Sequence, residues 1–222
     1  MQKQESKKQT NTVIKWILAT IILVTLIIGG AFISGTFYPN VWTVEKIEAE
    51  VHKKELNQVK LLGLREPEFE YTDKTSFLLA TSKCVEYLNY TTDRLSRVPT
   101  SIIIAMAGVE SGWGTSRFAN EGNALFGVRT WDLKNVAHMK AKGNPDASWG
   151  VKKYKTKCQS VHDMIKILNR HPAYKEFRIE REKQLDSGKW NYRTLMVLMN
   201  AWSTNPDYHE IILQAIVDNK LP

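Results

Sequence analysis

The chain has 222 residues, of which 24% are charged and 43% belong to the hydrophobic group, a composition typical of a globular protein. This composition excludes a disordered chain, a collagen-like repeat and a polytopic membrane protein. The 31 Lys and Arg outnumber the 23 Asp and Glu, and the net charge of +8 favours an anionic partner without distinguishing nucleic acid, lipid head groups and an acidic polymer.

The first predicted element is a transmembrane helix. No charged residue occurs between Trp16 and Val44, and residues 16–33 are almost wholly apolar. About 20 helical residues span roughly 30 Å of hydrocarbon, so residues 13–37 are long enough to cross a bilayer. Lysines precede this segment, and the positive-inside rule then predicts a cytoplasmic tail over residues 1–12, with the rest of the chain on the periplasmic side of the inner (cytoplasmic) membrane. A cleaved signal peptide is the alternative, although its apolar region usually spans only roughly 7–15 residues.

A polar stalk and one domain are predicted to follow. Residues 38–70 are assigned to the stalk, and the helix over 45–66 either extends as a polar stalk or lies on the body. We expect this helix to end before Pro67, because the residue before proline is disfavoured in the α region. The domain is assigned to residues 71–222. Its nearly all-apolar segment over 100–110 predicts a central, buried helix.

The rest of the domain is predicted to be mostly helical around an irregular insert. Helices are indicated over 76–87 and 172–185, and three more are expected to begin at a polar cap, at Ser160, Thr194 and Asn205. The segment 127–157 lacks helical apolar spacing and predicts a loop with a short hairpin.

Two cysteines, Cys84 and Cys158, are too few for a disulfide scaffold or a multi-cysteine zinc site. Export permits them to pair, but sequence separation does not decide between a disulfide and two buried thiols. The histidines lack zinc-ligand spacing, and neither a Gly-x-Ser-x-Gly elbow nor a Gly-rich phosphate loop occurs. We therefore expect no metal and no cofactor.

Glu110 is the residue that we expect to carry chemistry. It ends the apolar helix and precedes a glycine-rich turn, so we predict that its carboxyl is buried and partly protonated near neutral pH, as a general acid requires. An aromatic neighbour such as Trp113 would strengthen this effect. A surface carboxylate at a frayed helix end is the alternative, and position alone does not separate the two.

Two motifs at fixed spacing identify a family. They are Glu110-Ser-Gly-Trp-Gly within residues 98–119 and Gly-Asn-Ala-Leu-Phe-Gly over 122–127, and they are followed by His171-Pro-Ala-Tyr-Lys-Glu-Phe-Arg and Trp202-Ser-Thr-Asn-Pro-Asp-Tyr. Residues 75–216 resemble the glucosaminidase family of peptidoglycan hydrolases (glycoside hydrolase family 73), in particular its bacterial Bax-like branch. The resemblance implies a mostly α, lysozyme-like fold, cleavage of the β-1,4 bond after N-acetylglucosamine, and Glu110 as the catalytic acid.

The resemblance also implies which residues bind the glycan: Ser111, Trp113, Asn123, Phe126, Trp131, Tyr154, Trp202 and Tyr208. Family members often carry a second acidic residue in the central hairpin, and the insert offers only Asp132 and Asp146 for it. Asp132 is the better candidate, although an exposed loop carboxylate is at least as good an interpretation. Trp202 stands where relatives usually have a tyrosine. An indole offers one N–H donor but no hydroxyl acceptor.

Several mechanisms and one different class of function stay open. Without a second carboxylate, the substrate's acetamido group attacks the ring carbon, or Glu110 serves as acid and base in the manner of a lytic transglycosylase; cleavage at muramic acid is a further variant. The rival class is a non-enzymatic, membrane-anchored wall-binding protein. We expect peptidoglycan strands as partner, the membrane contacted through residues 13–37, and no nucleic acid.

Overall fold

The computed structural model describes residues 2–33, 41–61 and 63–222. The chain divides into two compact units, Met1–Lys54 and Glu55–Pro222. Helix α1 (Gln2–Ile33) lies in the first unit, and α2 (Val41–Leu61) contains the boundary.

Helix α1 contains the predicted transmembrane segment. Its Val13–Ile33 portion is long and apolar enough to cross a bilayer, and this part of the helix is not buried inside the protein. A signal sequence near the N-terminus passes the same test of length and composition. Residues 34–37 of the predicted span lie outside the described residues.

Helix α2 is shifted relative to the predicted stalk helix. It begins at Val41 and ends at Leu61 rather than covering 45–66. Gly63 then adopts a left-handed backbone with φ +62°, and the Leu64 N–H donates to the Val59 carbonyl. A glycine turn therefore ends this helix before Pro67 does.

The remaining elements form one mostly helical unit. In chain order they are α3 (Lys74–Thr91), α4 (Thr100–Ser111), α5 (Arg117–Gly122), β1 (Arg129–Thr130), β2 (His138–Met139), β3 (Gly150–Lys152), α6 (Lys157–Arg170), α7 (Lys175–Ser187), α8 (Tyr192–Val197) and α9 (Tyr208–Asp218). Helix α4 packs against α3 and α9, and residues 101–108 are all buried. The predicted central helix is confirmed.

Three predicted helix starts are wrong. Helix α6 begins after Thr156, whose side chain accepts a backbone N–H, whereas Ser160 lies one turn inside and is buried. Helix α8 is capped by Asn191, which accepts the N–H of Thr194. Helix α9 begins three residues after Asn205. In each segment, several polar side chains fall within one turn of the start, and tertiary packing selects among them.

The end of α4 is shaped by two residues that approach closely. Gly112 closes the helix with φ +59°, and Trp113 follows with φ +55° and donates its N–H to the Gly108 carbonyl over 2.7 Å. This turn folds the indole back onto α4, where a Cβ at Gly108 would lie 2.2 Å from Trp113 Cζ3. Glycine is therefore required sterically at position 108.

The insert contains a small antiparallel sheet in the order β1-β3-β2. Arg129 is paired with Val151, and Met139 is paired with Val151 from the other side. The predicted loop with a short hairpin is confirmed, with a third short strand added.

Cys84 and Cys158 form a disulfide across a sequence separation of 74 residues, which settles the open question of their pairing. The bond joins α3 to α6, and both cysteines are fully buried.

Candidate active site

A groove of about 550 Å³ runs past the end of α4. Its walls come from the last turn of α4, from the segment around β1, from the end of α6 and the residues before α7, and from residues 201–204 between α8 and α9. Its lining includes the carboxylate of Glu110, the aromatic residues Trp131 and Trp202, and the basic residues Arg129 and His171. Phe126 and Tyr174 also line it, but both are buried and belong to the hydrophobic core. The groove therefore combines one acid with aromatic walls, an arrangement suited to a sugar chain.

Glu110 lies in the last turn of α4, and its side chain is exposed. The prediction of a buried carboxyl is wrong, because the apolar run keeps the helix body in the core while its last turn projects into the groove. The carboxyl is nevertheless fixed. Its Oε1 accepts the Trp202 indole N–H at 2.9 Å and the Tyr208 hydroxyl at 2.7 Å.

Tyr208 is buried at the start of α9. Burial, followed by the negative charge of Glu110 and the hydrogen bond to it, raises the pKa of the Tyr208 hydroxyl above its usual 10.0. The phenol therefore stays protonated and donates to Glu110 at any pH at which a protein normally works.

The second motif holds the opposite wall in place. The Asn123 side chain donates to the carbonyls of Tyr154 and Lys155 and accepts from Lys157 Nζ. The Leu125 N–H donates to the buried Ser160 hydroxyl. These contacts tie the motif to the start of α6, so that its last two residues, Phe126 and Gly127, line the groove.

Other predicted site residues lie away from the groove. The Ser111 hydroxyl is buried, donates to the Ala107 carbonyl and accepts the Gly114 N–H, which stabilises the turn after α4. Trp113 lines a different depression on the domain, where Lys74 Nζ lies 4.0 Å from the ring centroid.

Asp132 and Tyr154 are also not among the residues that line the groove. Asp132 is exposed and accepts hydrogen bonds from the side chain and the backbone N–H of Asn135. The side-chain hydrogen bond first, and then the backbone one, lower the pKa of the Asp132 carboxyl below its usual value. Tyr154 donates to Asp163 Oδ2 at 2.8 Å. These contacts give both residues a role in holding loops.

The groove contains residues that the sequence analysis did not single out. His171, Tyr174, Ser203 and Thr204 line it. All four belong to the two segments on which the Bax-like resemblance partly rested, so those segments were a usable signal. Arg129 lies two residues after the second motif and was missed because nothing in the sequence shows which way β1 faces.

Within the described residues, no group of three or more His, Cys, Asp or Glu is placed to hold a metal ion. What the geometry offers is one fixed carboxylate beside aromatic surface. A positioned carboxyl can act as general acid on a glycosidic oxygen, and the aromatic surface beside it can hold a sugar ring.

The chain is similar to known proteins over this same region. A family model described as "Glucosaminidase: Mannosyl-glycoprotein endo-beta-N-acetylglucosaminidase" matches residues 90–221. Protein bax of Escherichia coli (strain K12) is 30% identical over 132 residues, which make up 58% of this chain and 45% of that protein. Exo-glucosaminidase LytG of Bacillus subtilis (strain 168) is 29% identical over 126 residues, 53% of this chain and 43% of that protein. The chain spans less than half the length of these relatives.

A solved structure is similar as well. The catalytic domain of the autolysin Auto from Listeria monocytogenes superposes with a TM-score of 0.51 at 19% identity, covering 75% of this chain and 94% of that one. At this identity the likeness concerns the fold, and it confirms the predicted mostly α architecture.

Proposed function

The chain belongs to the glucosaminidase family of glycoside hydrolases, and from this membership we propose that it hydrolyses peptidoglycan at the β-1,4 bond after N-acetylglucosamine. The observation that carries the proposal is the position of Glu110, which lines a groove large enough for sugar rings while two donors fix its carboxyl.

Glu110 acts as the general acid in this proposal. Because Oε1 accepts both the Trp202 and the Tyr208 hydrogen bonds, the proton of the protonated carboxyl resides on Oε2. That proton passes to the glycosidic oxygen as the C1–O bond breaks and positive charge develops on the ring. Water then adds its hydroxyl to C1 and returns a proton to the carboxylate.

The lining of the groove bears on the second step. Among the described residues that line it, Glu110 alone carries a carboxylate, and Asp132 engages Asn135 instead. This favours a route with one protein carboxylate, in which the substrate's acetamido group attacks C1. The transglycosylase-like route, in which Glu110 is both acid and base, also needs one carboxylate.

A Glu110→Gln variant on purified sacculi tests the proposal, because it keeps the side chain's size and removes its proton donor. We expect the wild type to release muropeptides with reducing ends at N-acetylglucosamine and the variant to bind sacculi without releasing them. Mass spectrometry separates the alternatives: reducing ends at muramic acid indicate a muramidase, and anhydro ends indicate a transglycosylase. A wild type that binds and releases nothing supports the non-enzymatic wall-binding protein.

We further propose that Val13–Ile33 anchors the chain in the inner membrane, with the N-terminus inside and the catalytic domain in the periplasm. The apolar helix and the preceding lysines support this arrangement. The full chain is expected to stay in the membrane fraction at high salt, and a variant without residues 1–40 to be soluble. If the chain is expressed as residues 1–222 but recovered with its N-terminus after residue 30, a cleaved signal peptide is indicated instead.

A further inference from the structure

The positive charge of residues 71–222 is concentrated in the insert. Residues 127–157 hold eight Lys and Arg against two Asp and Glu, whereas the rest of 71–222 holds fourteen against thirteen. The same insert provides one wall of the groove. In a glycan strand whose muramic acid carboxyls are all amide-bonded to peptide stems, the sugars carry no charge, so a cationic wall has no electrostatic counterpart on the sugar rings themselves.

Arg129 is the cation of the insert that lines the groove. Its guanidinium lies 4.2 Å from the centroid of the Trp149 ring, which holds the side chain in place. Trp149 is itself tied down, because its carbonyl accepts Lys140 Nζ at 3.1 Å. The Arg129 side chain is exposed, so the remaining donors are accessible from solvent.

Other cations of the insert already have partners. Lys152 pairs with Asp163 at 2.9 Å, and Lys157 donates to the Asn123 side chain. For Arg129, no carboxylate within the described part of the chain lies close enough to form an ion pair. The guanidinium is thus placed in the groove without an anion to neutralise it.

We propose that Arg129 binds a carboxylate of the peptide stem carried by the glycan strand in the groove, so that the enzyme selects strands with charged stems. The inference rests on the proposed function. A guanidinium forks to both oxygens of a carboxylate, which a lysine does not do. Trp131, which is 66% exposed beside it, offers an apolar face to an adjacent sugar ring.

The experiment compares two forms of one substrate. Soluble stem-bearing glycan fragments are used as isolated, or after their stem carboxylates have been converted to methylamides with methylamine and a carbodiimide. We expect the wild type to show a kcat/KM about tenfold higher on the charged form, and Arg129→Gln to treat both forms alike. Lys153→Gln removes the same charge from an exposed side chain of the insert that does not line the groove, and should keep the full preference.

Three results would overturn the inference. They are a wild type indifferent to amidation, an Arg129→Gln variant that loses activity equally on both forms, and a Lys153→Gln variant that loses the preference as fully as Arg129→Gln. The last would show that bulk charge rather than a placed guanidinium is responsible. If the wild type cleaves neither form, the proposed function fails, and the affinities of wild type and Arg129→Gln for both fragments still decide the role of Arg129.

Discussion

Trp202 and Glu110 are 92 residues apart in the chain, yet the indole Nε1 donates to the carboxylate Oε1 over 2.9 Å. The resemblance places Trp202 where family members usually have a tyrosine. Tryptophan and tyrosine each have one hydrogen-bond donor at the edge of the ring, so a tryptophan at this position keeps the donor and loses the hydroxyl acceptor. The substitution therefore keeps the carboxyl oriented.

The first prediction tests this donor. Trp202→Phe keeps an aromatic wall but removes the N–H, and we expect kcat to fall about tenfold because a hydrogen bond to a charged group is lost. Trp202→Tyr restores an O–H donor and should recover much of the loss. Circular dichroism checks that both variants fold. A Trp202→Phe variant with the wild-type rate would show that the hydrogen bond does not matter to catalysis.

The second prediction concerns Asp132. Because this carboxylate is exposed, engaged by Asn135 and not part of the groove lining, Asp132→Asn should keep activity within about twofold. Asp146→Asn removes the other candidate carboxylate of the insert, which is also exposed and not part of the groove lining, and should likewise keep activity within about twofold. A loss as large as that of Glu110→Gln would identify Asp132 as the second carboxylate.

Much of the fold was predictable from local pattern. The apolar run of α4 and the glycine-rich turn after it specify a buried helix with an abrupt end, because periodicity and left-handed turns are local properties. The exposure of the last turn of α4, in contrast, depends on residues that are distant in the sequence. Residues 101–108 are buried, Val109 is half-buried and Glu110 is exposed, since burial depends on what packs beside the last turn.

The composition of the groove was predictable only in part. Phe126, Trp131 and Trp202 do line it, but the partners of Glu110 come from segments 92 and 98 residues downstream. No spacing rule relates residues that far apart, and only the family resemblance connected them. The same resemblance led to the prediction that Trp113 binds the glycan, whereas the turn at Gly112 directs the Trp113 ring onto α4.

The third prediction tests the contact at Gly108. A Cβ there would lie 2.2 Å from Trp113 Cζ3, so Gly108→Ala must displace the indole. We expect a loss of about 1–3 kcal/mol in the free energy of unfolding, measured in urea, together with lower activity because Glu110 is two residues away. Gly143→Ala, where nothing lies within 4 Å of the added Cβ, is the control and should be close to neutral. Equal stability of the two variants would contradict the steric argument.

The fourth prediction concerns the disulfide between Cys84 and Cys158. It closes a loop of 74 residues, and its removal relaxes the unfolded chain, so the double variant Cys84→Ala/Cys158→Ala should lose about 2–4 kcal/mol. Dithiothreitol should lower the Tm of the wild type and leave that of the double variant unchanged. A wild type insensitive to the reductant would mean that the bond contributes little to stability.

The fifth prediction is a pH dependence at Tyr154. Burial first, then the charge of Asp163 and the hydrogen bond to it, raise the pKa of Tyr154 above its usual 10.0. The unfolded chain ionises near pH 10 while the folded one stays protonated, so the stability contributed by this phenol is complete below pH 10 and declines above it. Phenylalanine does not titrate. The wild type should therefore lose up to about 1.4 kcal/mol per pH unit relative to Tyr154→Phe above that point.

Urea unfolding of the wild type and of Tyr154→Phe measures the difference between their free energies of unfolding. Measurements at pH values from about 8 to 11 bracket the titration of a tyrosine in the unfolded chain. Comparing the two proteins cancels the effect of Lys157, whose pKa burial lowers and whose contribution has the opposite sign. The difference should be constant through pH 9 and then shrink. Parallel curves across the whole range would show that Tyr154 ionises in the folded protein as readily as in the unfolded chain, and that Asp163 does not hold its proton in place.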